Sequence, residues 1–185
     1  YYRRLLSEIE SGNTLSQDLA RLQEAVSQPG QSLVKEEPPY SLSFYESYLA
    51  NLESIKKRVN ALKRSAAFSQ SSIEAAKTDL DKAQSQLRIL QEQVDKVGTE
   101  AVPELTWEYE GVRIDEELNR VNLAFQKQKL SNLRTETKSL ELSLERSQKG
   151  VNWIKDNLQY DEKDLQEQIK EMQKAADVIR ERIAS

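Results

Sequence analysis

Between Leu52 and Val97 apolar residues recur at alternating steps of three and four: Leu52, Ile55, Val59, Leu62, Ala66, Ser69, Ile73, Ala76, Leu80, Ala83, Leu87, Leu90, Val94 and Val97. Of these positions only Ser69 is polar. A random stretch would not hold that register, so the pattern predicts a left-handed coiled-coil helix. Ser43 opens it, with Glu46 three residues on, the spacing of a capping box. Run from there to Val97, the helix would be roughly 80 Å long. Small side chains at Ala66, Ser69, Ala76 and Ala83 would let a partner helix approach closely.

Upstream, residues 1–28 carry a helical pattern with an interruption. Gly12-Asn13 reads as a stop, and Thr14 with Gln17 as a new cap, followed by Leu15, Leu19, Leu22 and Val26. Short N-terminal helices are therefore expected. Residues 29–42 read as a linker, with a turn at Pro29-Gly30 and extended backbone forced by Pro38-Pro39.

Downstream, residues 98–112 break the heptads at Gly98, Pro103 and Gly111. Trp107 and Tyr109 there are expected to plug the tip of a helical hairpin; the competing reading is a tip that binds a partner. A return helix is expected over 113–158, with Asp115, Glu116 and Glu117 in its acidic first turn. Its first stripe is Ile114, Leu118, Val121 and Phe125. A second runs from Leu130 through Leu133, Thr137, Leu140, Leu144, Ser147, Val151 and Ile154 to Leu158. The offset near Gln126 to Lys129 implies a change of supercoil phase. Gly150 should soften this end. The pattern then favours a break near Tyr160 over a continuing helix, Asp161 capping a last helix over 161–184. Its stripe is Leu165, Ile169, Met172, Ala176, Ile179 and Ile183. Two segments of similar length joined by a short breaker fold most simply as an antiparallel hairpin. The predicted fold is thus all-α: residues 43–185 form an elongated antiparallel coiled-coil hairpin with additional packed terminal helices.

Composition agrees: 31% charged, 37% hydrophobic and 6% aromatic residues suit helices that bury a stripe. A net charge of −4 argues against nucleic acid and against strong adsorption to anionic lipid. No window offers a membrane span or a signal peptide, and the start at Tyr1 without Met suggests a piece of something longer. The absence of Cys and His removes thiolate and imidazole chemistry, an ordinary zinc site and a Glu-x-x-His di-iron site. Acidic clusters at Glu36-Glu37, Asp115 to Glu117 and Asp161-Glu162 are explained by capping and solvation. The basic run Lys56 to Arg58, with Lys63 and Arg64, reads as a salt-bridged face with Glu53, a lipid or phosphate patch being the minority alternative. Trp153 reads as a packing residue at the edge of a stripe. No catalytic, cofactor-binding or metal-ligating residue is expected, and an enzyme is the least favoured class.

The phrases "PPYSLSFYESYLANLESIKKRVNAL" and "LQYDEKDLQEQIKEMQKAADVIRERI" bracket an Ala-rich heptad helix. Across about residues 38–184 this resembles the periplasmic N-terminal helical (porin-like) region of large MscS-family mechanosensitive channels. The pore helix and cytoplasmic β-domain of that family are absent, so no gating residue carries over. The resemblance implies a periplasmic, non-conducting arm of an inner-membrane channel in osmotic response. It would space, oligomerise or couple the channel to the envelope through protein partners: its own membrane domain, another copy or an envelope component. The alternative is a coiled-coil scaffold or tether with no channel attached, in the cytoplasm. A curved membrane-binding module comes third, against the acidic charge.

Overall fold

The computed structural model describes residues 1–27, 34–97, 103–159 and 162–184. Among them are four helices, α1 (Tyr2–Ser27), α2 (Leu42–Val97), α3 (Pro103–Asp156) and α4 (Glu162–Ala184), and no strand. The fold is all-α. It divides into two compact units, Tyr1–Gln23 with Val59–Leu140, and Glu24–Arg58 with Glu141–Ser185.

In the first unit α2 and α3 pack antiparallel. Gln84 meets Glu116, while Ile73, further back along α2, lines a groove with Leu130, further on along α3. On α2 the heptad stripe is the packed face: its positions up to Val94 are buried or half-buried, and only Val97 is exposed. The spacing works because a 3.5-residue repeat keeps one seam facing the partner.

On α3 the packed seam differs from the expected one. Ile114 and Leu118 are exposed, at 56% and 38%. Val121, of the same expected stripe, is buried and Phe125 half-buried. Beside them Val112, Glu116, Asn119, Leu123, Gln126, Leu130, Leu133, Thr137 and Leu140 are also buried or half-buried. The steps of that row alternate four and three, and it takes polar residues into the packed face. The N-terminal end is also corrected. Pro103 is the first helical residue, where its missing amide N–H costs nothing, so α3 starts ten positions earlier than expected. Trp107 lies on this helix at 78% exposure, which overturns the plug. Gly111 is helical, with open space around its Cα. Gly98 lies outside the described residues.

The N-terminal segment is one helix, not two. α1 runs through Gly12-Asn13, and Thr14, expected as a cap, donates its Oγ1 hydrogen bond to the Glu10 carbonyl at 3.2 Å. Gly12 has a different purpose from a stop. A Cβ there would lie 2.5 Å from Asn132 Oδ1 and 2.7 Å from Gln128 Nε2, so the missing side chain is what lets α1 approach α3.

In the second unit α2 begins at Leu42, and the cap is Ser41 rather than Ser43: Ser41 Oγ accepts from the Phe44 amide at 3.3 Å. Val34, Tyr40 and Ile154 form the core, with Phe44, Tyr45 and Tyr48 against it. The segment before α2 is tied to the end of α3 by two backbone bonds. Tyr40 N donates to Asn157 O at 3.2 Å and Gln159 N to Tyr40 O at 3.0 Å, so a strand-like bridge stands where the helix has stopped. α3 ends at Asp156 and α4 begins at Glu162, which brackets the expected break; Tyr160 and Asp161 lie outside the described residues. Every α4 side chain described is exposed.

Candidate functional site

The features that composition did not announce are polar groups inside the first unit. Glu116 is 6% exposed at a seam position of α3. Its Oε1 accepts from Arg120 Nη2 at 2.7 Å and from Gln84 Nε2 at 3.2 Å. Arg120 also reaches Glu117 at 3.5 Å, and Glu117 accepts from the Tyr2 hydroxyl at 2.8 Å. One connected set of hydrogen bonds therefore joins α1, α2 and α3. Its electrostatics follow from these contacts. The Glu116 hydrogen bond and charge hold the Arg120 guanidinium more firmly protonated, and the Glu117 hydrogen bond raises the Tyr2 phenol above its ordinary value.

Sixteen residues further along α3, from Glu116 to Asn132, or about four and a half turns at 3.6 residues per turn, a second polar pin holds α1. Asn132, 7% exposed, donates from Nδ2 to the Glu8 carbonyl at 2.7 Å and to Glu8 Oε2 at 2.8 Å. Its Oδ1 accepts from Gln128 at 2.9 Å, so each polar atom of the amide is engaged. Beside it runs a groove of about 500 Å³ lined by Glu8, Leu15, Lys129, Asn132, Leu133 and Glu136. Arg120 and Gln128 lie on α3 and stay with Glu116 and Asn132 in any alignment. A slip of the neighbouring helices, however, would cost Glu116 its Gln84 partner and Asn132 its two Glu8 partners, and a buried polar atom that loses a partner is penalised. The arrangement specifies register and partner helix. It holds no nucleophile beside a base.

In the second unit the aromatic side chains of Tyr40, Phe44 and Tyr48 stack along one face, successive ring centroids 5.3 Å apart. The Tyr40 hydroxyl donates to the Glu36 carbonyl at 2.9 Å and accepts from Trp153 Nε1 at 3.3 Å. Burial, followed by the nearby Glu36 charge, raises the Tyr48 phenol. A groove of about 370 Å³ beside Phe44 and Tyr48 is edged by Lys35, Glu36 and Arg146.

The positions singled out from the sequence are distributed as follows. Glu53 pairs with Lys56 at 2.7 Å, which lowers the Glu53 carboxyl, so part of the basic run is the solvated, salt-bridged face expected. Asp115, Glu116 and Glu117 lie well inside α3 rather than in its first turn, and Glu116 alone of the three is buried. No group of three metal-ligating side chains occurs among the described residues, and none of the described helices is long and apolar enough to cross a membrane. Glu116, Gly12 and Asn132 went unseen as functional positions. The available signal was the register itself: stepped backwards from Leu130, alternating fours and threes land on Gln126, Leu123, Asn119, Glu116 and Val112.

Comparison of the chain with family models, curated proteins and solved structures finds no match. Its reading rests on its own residues.

Proposed function

We propose that this chain is a non-catalytic helical arm that acts mechanically, as the periplasmic part of an MscS-type channel in osmotic response. The observation that carries the reading is the pairing of α2, 56 residues, with α3, 54 residues, along one heptad register. Helices of that length transmit position along their axes, because each turn is held by backbone hydrogen bonds and the seam resists sliding. The Gln84–Glu116 hydrogen bond across that seam opposes slip further. The channel assignment comes from the phrases around Pro38 to Leu62 and Leu158 to Ile183.

The test uses the full-length gene product in its own membrane. Ile73, Leu90 and Leu130, all buried, are replaced by Asp, and a second variant loses one heptad from α2 together with the facing heptad of α3. The first should impair assembly, tension response and survival of osmotic downshock. The second should fold but shift the tension response, because length alone has changed. Unchanged behaviour in both overturns the mechanical reading. A gene product with no hydrophobic spans would favour the scaffold or tether instead.

A further inference from the structure

Among the described residues of α4, the apolar stripe is left uncovered by its own chain. Ile169, Met172 and Ile179 are 52%, 72% and 57% exposed, and Ala176 between them is exposed too. Their steps of three, four and three are those of a coiled-coil seam, with Ile169 and Ala176 at one core position of the heptad and Met172 and Ile179 at the other. The net charge of −4 argues against an anionic lipid surface as the occupant, which leaves a partner helix. We propose that α4 pairs with α4 of a second copy, antiparallel, about a two-fold axis level with Lys174.

Two properties of the helix select that occupant. The first is charge. The positions that flank the seam are Gln166, Gln168, Gln173 and Ala175, then Arg180 and Arg182, while Lys170, Glu171, Lys174 and Asp177 lie on the outer face. Flanking charges are what direct a coiled coil towards a particular partner. Here both stand at the C-terminal end, where an antiparallel copy sets Gln166 and Gln168 against them without repulsion. The second is volume. Core layers in an antiparallel pair set Ile169 against Ile179, and Met172 against Ala176, large against small. Gln173 and Ala175 then each face themselves across the axis. A parallel pair would stack Ala176 on Ala176 and Met172 on Met172, leaving one layer hollow and the next crowded, and both depart from close packing. Antiparallel pairing also keeps the two Arg180 side chains at opposite ends. The inference rests on the spacing of α4 and stands apart from the channel reading.

The experiment is sedimentation of the 185-residue chain over a wide concentration range, with two kinds of variant. The chain should show a monomer–dimer equilibrium. Ile169→Asp with Ile179→Asp should weaken it by about a hundredfold or more while the circular dichroism of the monomer stays helical. Because the chain has no Cys, introduced thiols report the orientation. Ile169→Cys with Ile179→Cys in one chain should oxidise to a covalent dimer, and either substitution alone should not. A monomer at every concentration, a dimer indifferent to the Asp substitutions, or ready disulfide formation by Ile169→Cys alone would each overturn the proposal.

Discussion

The two units of this chain are held together by different means. In the unit built from 1–23 and 59–140, long regular helices meet along a repeat whose core positions are small or polar as often as large: Ser69, Ala76, Ala83 and Glu116 are all buried. In the unit built from 24–58 and 141–185, the core is an irregular segment, Val34 to Tyr40, closed over Ile154 by aromatic rings and two backbone bonds. A repeat of similar layers has many nearly equivalent alignments, so it needs polar pins to choose one. A cluster of unlike shapes already has one good fit, and its polar atom, the Tyr40 hydroxyl, is paired inside the cluster with the Glu36 carbonyl and Trp153. A buried carboxylate and a buried amide stand instead in the unit whose packing alone is ambiguous.

Three substitutions put that contrast to the test. The largest effect is expected at Ile154, fully buried in the second unit: Ile154→Ala should cost about 2–5 kcal/mol by loss of transfer energy and a residual cavity. Urea unfolding followed by circular dichroism measures it, and a cost near zero would show that the aromatic cluster is not a close-packed core. Next comes Gly12→Leu, which inserts a side chain where a Cβ already meets Asn132 at 2.5 Å. The cost should be about 1–3 kcal/mol, with faster amide exchange confined to α1, and Asn132→Ala should recover part of it. If α1 exchange is unaltered, the close approach is not what holds that helix. The smallest effect has the opposite sign. Ser69 Oγ is buried without a hydrogen-bond partner, so Ser69→Ala should stabilise the chain by about 1 kcal/mol. A loss of stability of that size would mean that the hydroxyl is satisfied in solution.

Much of the fold was legible in advance because the hydrophobic repeat is a property of the chain. Leu52 to Val94 could pack only as one helical face, and no other arrangement would bury them together. What misled the reading were residues with two physical uses. Glycine ends helices because it tolerates left-handed backbone, but it also admits a neighbouring helix, and Gly12 does the second. Proline blocks a continuing helix but begins one well, and Pro103 begins α3. On α3 the expected stripe is packed only in part: Val121 is buried and Phe125 half-buried, but Ile114 and Leu118 are exposed, and Glu116 is buried between them. Burial of Glu116 depends on Arg120 from its own helix and Gln84 from another.

The amino-acid order alone determined that the chain is all-helical, where its longest helix runs and which face of that helix is packed, since those follow from spacing and backbone geometry. The tertiary structure decided which polar residues are inside, that α1 is unbroken and lies against α3, and that α4 is bare on every described side. The physical reason is that burial of a carboxylate, closeness at a glycine and exposure of a stripe are properties of pairs of helices. A single helix cannot encode them; only its partners can.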